Sequence, residues 1–559
     1  MAIFERLKKL YNGKDAEVCY LKIQTLIEEY KNQINSKKYN LSQKDIILIT
    51  YADMLSGDEL SKIATLQNFL DSKIEGYINS VHFLPFFPWT SDDGFSIVDY
   101  RAIDSDLGSW RDIKLFAKKY RLMFDAVINH CSKSSDMFQQ FLNNEQEFKN
   151  YFIEVDPDAD TSKVVRPRAL PLLTQFEDSN GLTRHIWTTF SDDQVDLNFS
   201  NYKVLLDILD ILLLYIEKGA RLLRLDAVAF LWKILGTSCL HLEQTHEIVK
   251  LIKEVINEVA PEVILVTETN VPHQENISYF GNGYDEAGMV YNFTLPPLLA
   301  FSILTKNTEV FTQWAQGLKL PSDQTCFFNF TASHDGIGVR PLQGILNNDE
   351  IEFLATVAKK HGGKVSYKDN GDGTKSPYEL NCNYCDFLTD LDSDDDIRAK
   401  RMVLSQAVTL VMPGVPGIYF HSLFGSRNFN NGVKETGRNR TINREKLNVD
   451  DLNAQLNTGL RKKIFTAYKK LLGIRINEEA FNPYTPAEFL NVDKSVIAIA
   501  RHSEQSSVLC LFNVSDTQIE VIVPSAFNLP LIDLITGKKY ELSPIIMEPL
   551  EILWLKSVK

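Results

Sequence analysis

The 559 residues contain no long uninterrupted apolar run. The greasiest stretch, LLDILDILLLYIEKGA from 205 to 220, is broken by Asp207 and Asp210 and is too short to span a bilayer, so a core-facing helix is expected there. The opening MAIFERLKKLYNGKD interrupts its few apolar residues with Glu5, Arg6, Lys8 and Lys9. That leaves no secretory h-region and predicts a surface helix. Positive charge is also scarce: 59 Lys and Arg face 73 Asp and Glu, a net charge of -14. Such a balance excludes the field a nucleic-acid binder needs to displace counterions, and any anion site must assemble its own cations locally. Cysteine is sparse and odd in number, seven residues scattered from Cys19 to Cys510. This does not resemble a disulfide framework and suits a reducing compartment. The expected location is the cytoplasm, with no membrane partner.

Cofactor signatures are missing too. CNYC at 382 to 385 has half the spacing of a zinc site, without a second pair. DSDDDIRAK carries Ile397 where a calcium loop needs Gly and has no closing Glu, so a solvated acidic turn is expected. GDGTKS lacks the spacing of a nucleotide-binding loop, and His241 and His246 lack an HExxH frame. No metal and no organic cofactor are therefore expected. No internal repeat is evident, and 44% hydrophobic with 24% charged residues is ordinary globular composition.

What is present is a series of short apolar runs ending in polar residues and separated by helical periodicity. IILITYAD (46–53), SVHFLPFFP (80–88), LMFDAVINH (122–130), ARLLRLDAV (220–228), VILVTETN (263–270), MVYNFT (289–294), FFNFTASHD (327–335) and VPGIYF (415–420) predict eight strands. The fold class is α/β: a (β/α)8 TIM barrel with inserted loop subdomains and a C-terminal antiparallel β domain. The chain divides into a helical extension (1–42), the first part of the barrel (43–130), an inserted subdomain (131–190), the barrel's middle (191–335), a second insertion (336–400), the last part of the barrel (401–484) and the β domain (485–559). In such a barrel the strand ends gather on one face, where catalytic groups sit.

Those ends carry acids and histidines: Asp125, Asn129 and His130 in DAVINH, Arg224 and Asp226 in RLLRLDAV, Glu268 in VTETN, His334 and Asp335 in TASHD. Any one could be a structural ion pair or a helix cap. Their conjunction on one face suits acetal chemistry, in which one carboxyl protonates a leaving oxygen and a second, about 5 to 5.5 Å away, attacks the sugar carbon.

DAVINH, RLLRLDAVAF, VTETN and ASHDGIG resemble, in that order, the four hallmark segments of the α-amylase clan. TYADMLSGDEL, VHFLPFFPWTSDDGF, VRPRALPLLTQF, TTFSDDQVDLNF and NFTLPPLL extend the resemblance, over residues 46 to 445, to the sucrose phosphorylase subgroup. Within it, WKILGTSCLHLEQTH, TETNVPH, YFGNGYDEAGMVYNF and GSRN followed by NRTINR are more similar to glucosylglycerate phosphorylases. The resemblance implies that Asp226 is the nucleophile, Glu268 the acid/base, and Asp335 the carboxylate that grips the glucosyl ring. It implies that Asp92, His130, His334 and Arg440 fix the sugar hydroxyls and that Phe95 is the hydrophobic platform. Arg224 should keep Asp226 ionised. Phe230 stands where sucrose phosphorylases typically carry Tyr, a departure from that pattern.

The reaction implied is reversible phosphorolysis of 2-O-α-glucosyl-D-glycerate to α-D-glucose 1-phosphate and D-glycerate, with inorganic phosphate as co-substrate. Sucrose or sucrose 6'-phosphate phosphorolysis, hydrolysis on the same carboxylates, and a non-catalytic carbohydrate-binding relative are the alternatives. Arg166, Arg168, Lys375 and Tyr378 are the residues singled out to hold phosphate or the glycerate carboxylate, with loop solvation as the plainer account of each. A homodimer is one option for assembly.

Overall fold

The computed structural model describes residues 2–37, 39–57, 60–167, 170–369, 373–527 and 530–557. Strands β1 (Ile47–Thr50), β2 (Ser80–Phe83), β3 (Arg121–Val127), β4 (Ala220–Asp226), β5 (Ile264–Thr267), β6 (Met289–Tyr291), β7 (Cys326–Asn329) and β8 (Val415–Tyr419) form a closed parallel barrel, each paired with its sequence neighbours and β8 with β1. Almost every strand residue is buried, because helices cover the outer face while side chains fill the inside. This is why the strands read as continuous apolar runs rather than alternating ones. They are shorter than the runs: β4 stops at Asp226 because Ala227 turns into the left-handed region at φ +54°, and β5 stops just before Glu268.

The run from 205 is helical as far as Glu217, in α3 (Tyr202–Glu217), most of whose apolar side chains are buried, and its last residue, Ala220, opens β4. Helices α1 (Ala2–Leu10) and α2 (Gly13–Lys31) pack against α3 and α4 (Glu243–Val259). Ile3 and Leu7 of α1 are buried, while Arg6 and Lys9 pair with Glu247 on α4, at 2.9 and 2.8 Å. Among the described residues no helix is long and apolar enough to cross a membrane.

The segment 131–190 holds a short helix (Asp136–Leu142) and a hairpin of Leu173–Glu177 with Thr183–Trp187. The second excursion forms a three-stranded antiparallel sheet from Ile337–Gly338, Lys364–Asp369 and Lys375–Asn381, with helix Asn348–Lys360 against it. DSDDDIRAK is not a solvated turn but the start of helix α5 (Asp395–Val411). The Asp394 carboxylate caps it by accepting from the backbone N–H groups of Asp396 and Ile397. The helix therefore begins before position 400 and leads back into the barrel.

Beyond Phe481, strands β9 (Ala487–Asp493), β10 (Val496–His502), β11 (Ser507–Asn513), β12 (Leu531–Asp533), β13 (Lys539–Tyr540) and β14 (Ile552–Ser557) form an antiparallel sheet in the order β9-β10-β11-β14-β12-β13. One face of this sheet joins the barrel core through Phe481 and Trp554, whose rings meet at 5.1 Å.

Candidate active site

The carboxyl ends of the strands close around a cavity of about 100 Å3. Alone it is smaller than the roughly 300 Å3 at which ligand sites usually begin. A second chamber of about 500 Å3 lies beside it, and Asp92, Pro167, Tyr378, Glu379 and Arg440 line both.

Asp226 and Glu268 come from neighbouring strands. The pairing of Leu225 with Thr267 sets their register, and the residue that ends β4 stands beside the one that follows β5. Arg224 serves both carboxyls: its Nη1 donates to Asp226 Oδ1 at 2.7 Å, and its Nη2 lies 4.0 Å from Glu268 Oε2. Ala227, forced into its left-handed turn, donates its backbone N–H to Glu268 Oε2 at 3.1 Å. Behind them Arg224 also bonds Asp125, its cross-strand partner on β3, and Asp125 contacts His82 of β2 at 2.8 Å. A polar chain thus crosses the barrel interior from β2 to β5.

Charge is the central problem of this arrangement. Burial, then the charges of Glu268 and Asp125, push Asp226 well above the usual carboxylate range against the pull of Arg224. Burial, with the charges of Asp335 and Asp125, raises Glu268 as well. Arg224 divides its charge among three carboxyls in a dry setting, so burial and like charge oppose its hold on the Asp226 charge. The pair holds a proton between its members. Direct donation from Arg224 favours the charge on Asp226 and leaves the proton to Glu268.

Asp335 is held the other way. Burial opposes its charge, but Arg440, with Arg444 and Arg224, outweighs it and keeps the carboxyl below its ordinary range. Arg440 Nη1 reaches Asp335 Oδ1 at 2.6 Å, and its Nη2 and Nε donate to both oxygens of Glu379 at 2.7 and 3.2 Å. Arg444 donates Nε to the His334 carbonyl at 2.7 Å and pairs with Asp93.

The turn of WTSDDGF is strained, with Asp92, Asp93 and Gly94 all at positive φ. At Gly94 a Cβ would lie 2.9 Å from the Pro85 carbonyl, so only glycine fits. The turn delivers Phe95 flat against His334, with centroids 4.8 Å apart and planes at 6°. His130 Nε2 lies 3.0 Å from the Phe95 carbonyl and 3.1 Å from Gln194. Burial holds His130 down to about 4 and His334 to about 3, so both rings are neutral near pH 7.

Asp92, Phe95, His130, Arg224, Asp226, Phe230, Glu268, His334, Asp335, Tyr378 and Arg440 line the inner cavity together. Phe230 meets Phe190 edge-on at 5.4 Å. Other expected residues stand apart. Arg166 is exposed and donates to the Leu170 carbonyl at 3.2 Å, and among the described residues of RPRALP only Pro167 lines the cavity. Lys375 is exposed at the start of a strand and lines neither chamber. Arg168 lies outside the described residues.

Sequence reading missed Gln194, Asn270, Arg340 and Glu379, which also line the cavity, and assigned no role to Lys233. Lys233 is buried, donating to Asn129 Oδ1 and pairing with Asp196, each at 2.8 Å. A usable signal was DGIG: a Cβ on Gly336 would come within 2.5 Å of Glu379, and one on Gly338 within 2.4 Å of Asn270.

Residues 75–335 match the alpha amylase catalytic domain. The chain is also 43% identical to the glucosylglycerate phosphorylase of Escherichia coli (strain K12) over 558 residues, 99% of each chain. The chain belongs to the alpha-amylase family. Another alpha-amylase family relative, the glucosylglycerate phosphorylase of Allomeiothermus silvanus, is 45% identical over 519 residues, 92% of each. In fold, the chain is similar to the crystal structure of sucrose 6F-phosphate phosphorylase from Thermoanaerobacter thermosaccharolyticum, with TM-score 0.76, 24% identity, and coverage of 89% of this chain and 98% of that one.

Proposed function

We propose that the chain is a retaining glycoside phosphorylase, converting 2-O-α-glucosyl-D-glycerate and inorganic phosphate to α-D-glucose 1-phosphate and D-glycerate. The observation carrying this reading is 43% identity along the full length of a glucosylglycerate phosphorylase, in a chain whose Asp226 and Glu268 share one guanidinium at the cavity floor.

An Asp226 oxygen attacks the anomeric carbon as the bond to the glycerate oxygen breaks, and the proton on Glu268 passes to that oxygen. The product is free glycerate and a β-glucosyl ester on Asp226. Hydrogen phosphate then attacks the same carbon, the ester bond breaks, and Asp226 regains its charge while the phosphate proton returns to Glu268. Positive charge building on the sugar is met by ionised Asp335, which Arg440 and Arg444 hold in place. Asp92, His130, His334 and Arg440 hold the glucosyl hydroxyls, with Phe95 as apolar platform, and phosphate and glycerate use the remaining space in turn. We also propose a cytoplasmic setting, supported by seven buried free thiols.

The test is incubation with glucosylglycerate, glucosylglycerol, sucrose and sucrose 6'-phosphate, each with and without phosphate, scoring glucose 1-phosphate against free glucose. Phosphate-dependent glucose 1-phosphate from glucosylglycerate is expected. Free glucose at the same rate in both conditions would make the protein a hydrolase.

A further inference from the structure

Three cationic side chains line the inner cavity, and two are already committed. Arg224 is bonded to Asp226 and Asp125, and Arg440 to Asp335 and Glu379. The third, Arg340, begins the 3-10 turn Arg340–Leu342, and among the described residues its guanidinium has no hydrogen bond and no ion pair. A guanidinium lining the catalytic cavity without a partner of its own keeps its donors for an anion that enters there.

A second unpartnered group stands on the same wall. Asn270 lines the cavity two residues after Glu268, and its buried Oδ1 has no hydrogen-bond partner. Gly338 leans directly on this carboxamide, where any Cβ would fall 2.4 Å from it, so the backbone leading into Arg340 is seated against Asn270. Two polar groups with unused capacity, distant in sequence, thus line one cavity and are linked through Gly338, and Asn270 follows Glu268 by two residues. In a glycoside of a 2-hydroxy acid the carboxylate hangs from the carbon bearing the bridging oxygen. When that oxygen meets Glu268, the carboxylate must lie beside it.

We infer that Arg340, supported by Asn270, is the anion-binding group of the acceptor half of the site, taking the carboxylate of the departing acid and then the incoming phosphate. This rests on the phosphorolysis reading above. A planar guanidinium suits both anions, since each offers two oxygens to its fork. Sharing one cation also makes the two anions mutually exclusive, as two displacements at one carbon require.

The experiment compares Arg340→Ala, Arg340→Lys and Asn270→Ala with the parent enzyme in both directions. Phosphate is varied in phosphorolysis; D-glycerate and the uncharged acceptor glycerol are varied in synthesis from glucose 1-phosphate. For Arg340→Ala, kcat/KM for phosphate and for D-glycerate should each fall about 30-fold, and the preference for glycerate over glycerol by a similar factor. Arg340→Lys should recover part of each loss. An unaltered glycerate-to-glycerol preference, or a loss confined to one anion, overturns the proposal. Failure of the phosphorolysis reading would appear separately, as a parent enzyme that makes no phosphate-dependent product. In that event calorimetric titration of phosphate and D-glycerate into Asp226→Asn, with and without Arg340→Ala, decides: binding that disappears with Arg340→Ala supports the anion site, and binding indifferent to it overturns it.

Discussion

Glu379 holds Arg440 with both carboxylate oxygens, and the guanidinium so held turns its remaining nitrogen to Asp335. Glu379 comes from the second excursion, Arg440 from the turn Asn439–Asn443 after β8, and Asp335 from the loop after β7. The last two of these segments also meet where the Asn443 side-chain amide donates to the carbonyls of Ser333 and Asp335, at 3.1 and 3.0 Å. Glu379→Gln is expected to lower kcat/KM about tenfold with little change in unfolding midpoint, because it weakens a charged two-point contact without emptying the space. Steady-state kinetics beside thermal melting checks both parts.

Asp226→Asn should abolish turnover by removing the attacking oxygen, and it should also stabilise the fold. Burial and like charge keep a proton on the Asp226–Glu268 pair above the ordinary carboxylate range, and the stability this contributes is fully present below that range and lost as rising pH strips the pair of its proton. The variant should therefore melt at or above the parent temperature, with the gap widening as pH rises above the ordinary carboxylate range. A gap that narrows with rising pH would contradict the raised ionisation.

Glu268→Gln should cut turnover severely with glucosylglycerate and much less with α-glucosyl fluoride, whose leaving group needs no proton. In the parent, kcat/KM should fall on the alkaline side as the raised Glu268 releases its proton, and on the acid side as Asp226 takes one up. Glu268→Gln assayed on the fluoride should lose the alkaline limb. Equal losses on both donors would remove the proton-donor role.

Lys233→Met strips the cation from buried Asp196 and should destabilise the protein by about 3 to 5 kcal/mol in denaturant unfolding. Adding Asp196→Asn should restore part of it, although Thr189 and Asn129 also bond that carboxylate. No recovery in the double variant would show that Lys233 acts through packing alone.

Arg166→Ala should leave the KM for phosphate within about twofold, since its guanidinium bonds an exposed loop carbonyl. A large rise measured in phosphorolysis would mean that the loop reorganises on binding.

The barrel was readable because buried parallel strands are unbroken apolar runs, and Asp226, Glu268 and Asp335 stand where those runs give out. The run positions carry over strand for strand, while their lengths do not, since the polar ends peel away into turns such as that at Ala227. Asn270 also closes a run, VILVTETN, and was passed over beside Glu268, whereas Arg340 and Glu379 left no comparable trace. The last two sit on segments whose course depends on contacts distant in sequence, and an unpaired Arg340 reads like any solvated one. Arg166 shows the converse: an arginine in a matching motif here bonds a nearby carbonyl and lines neither chamber.

The three-part clasp of Glu379, Arg440 and Asp335 has a bearing on engineering. Exchanging the hairpin of 364–381 between related barrels would transplant one jaw without the other, so chimaeras that swap that segment alone should lose rate through a loosened transition-state carboxylate, whatever acceptor they were built to admit.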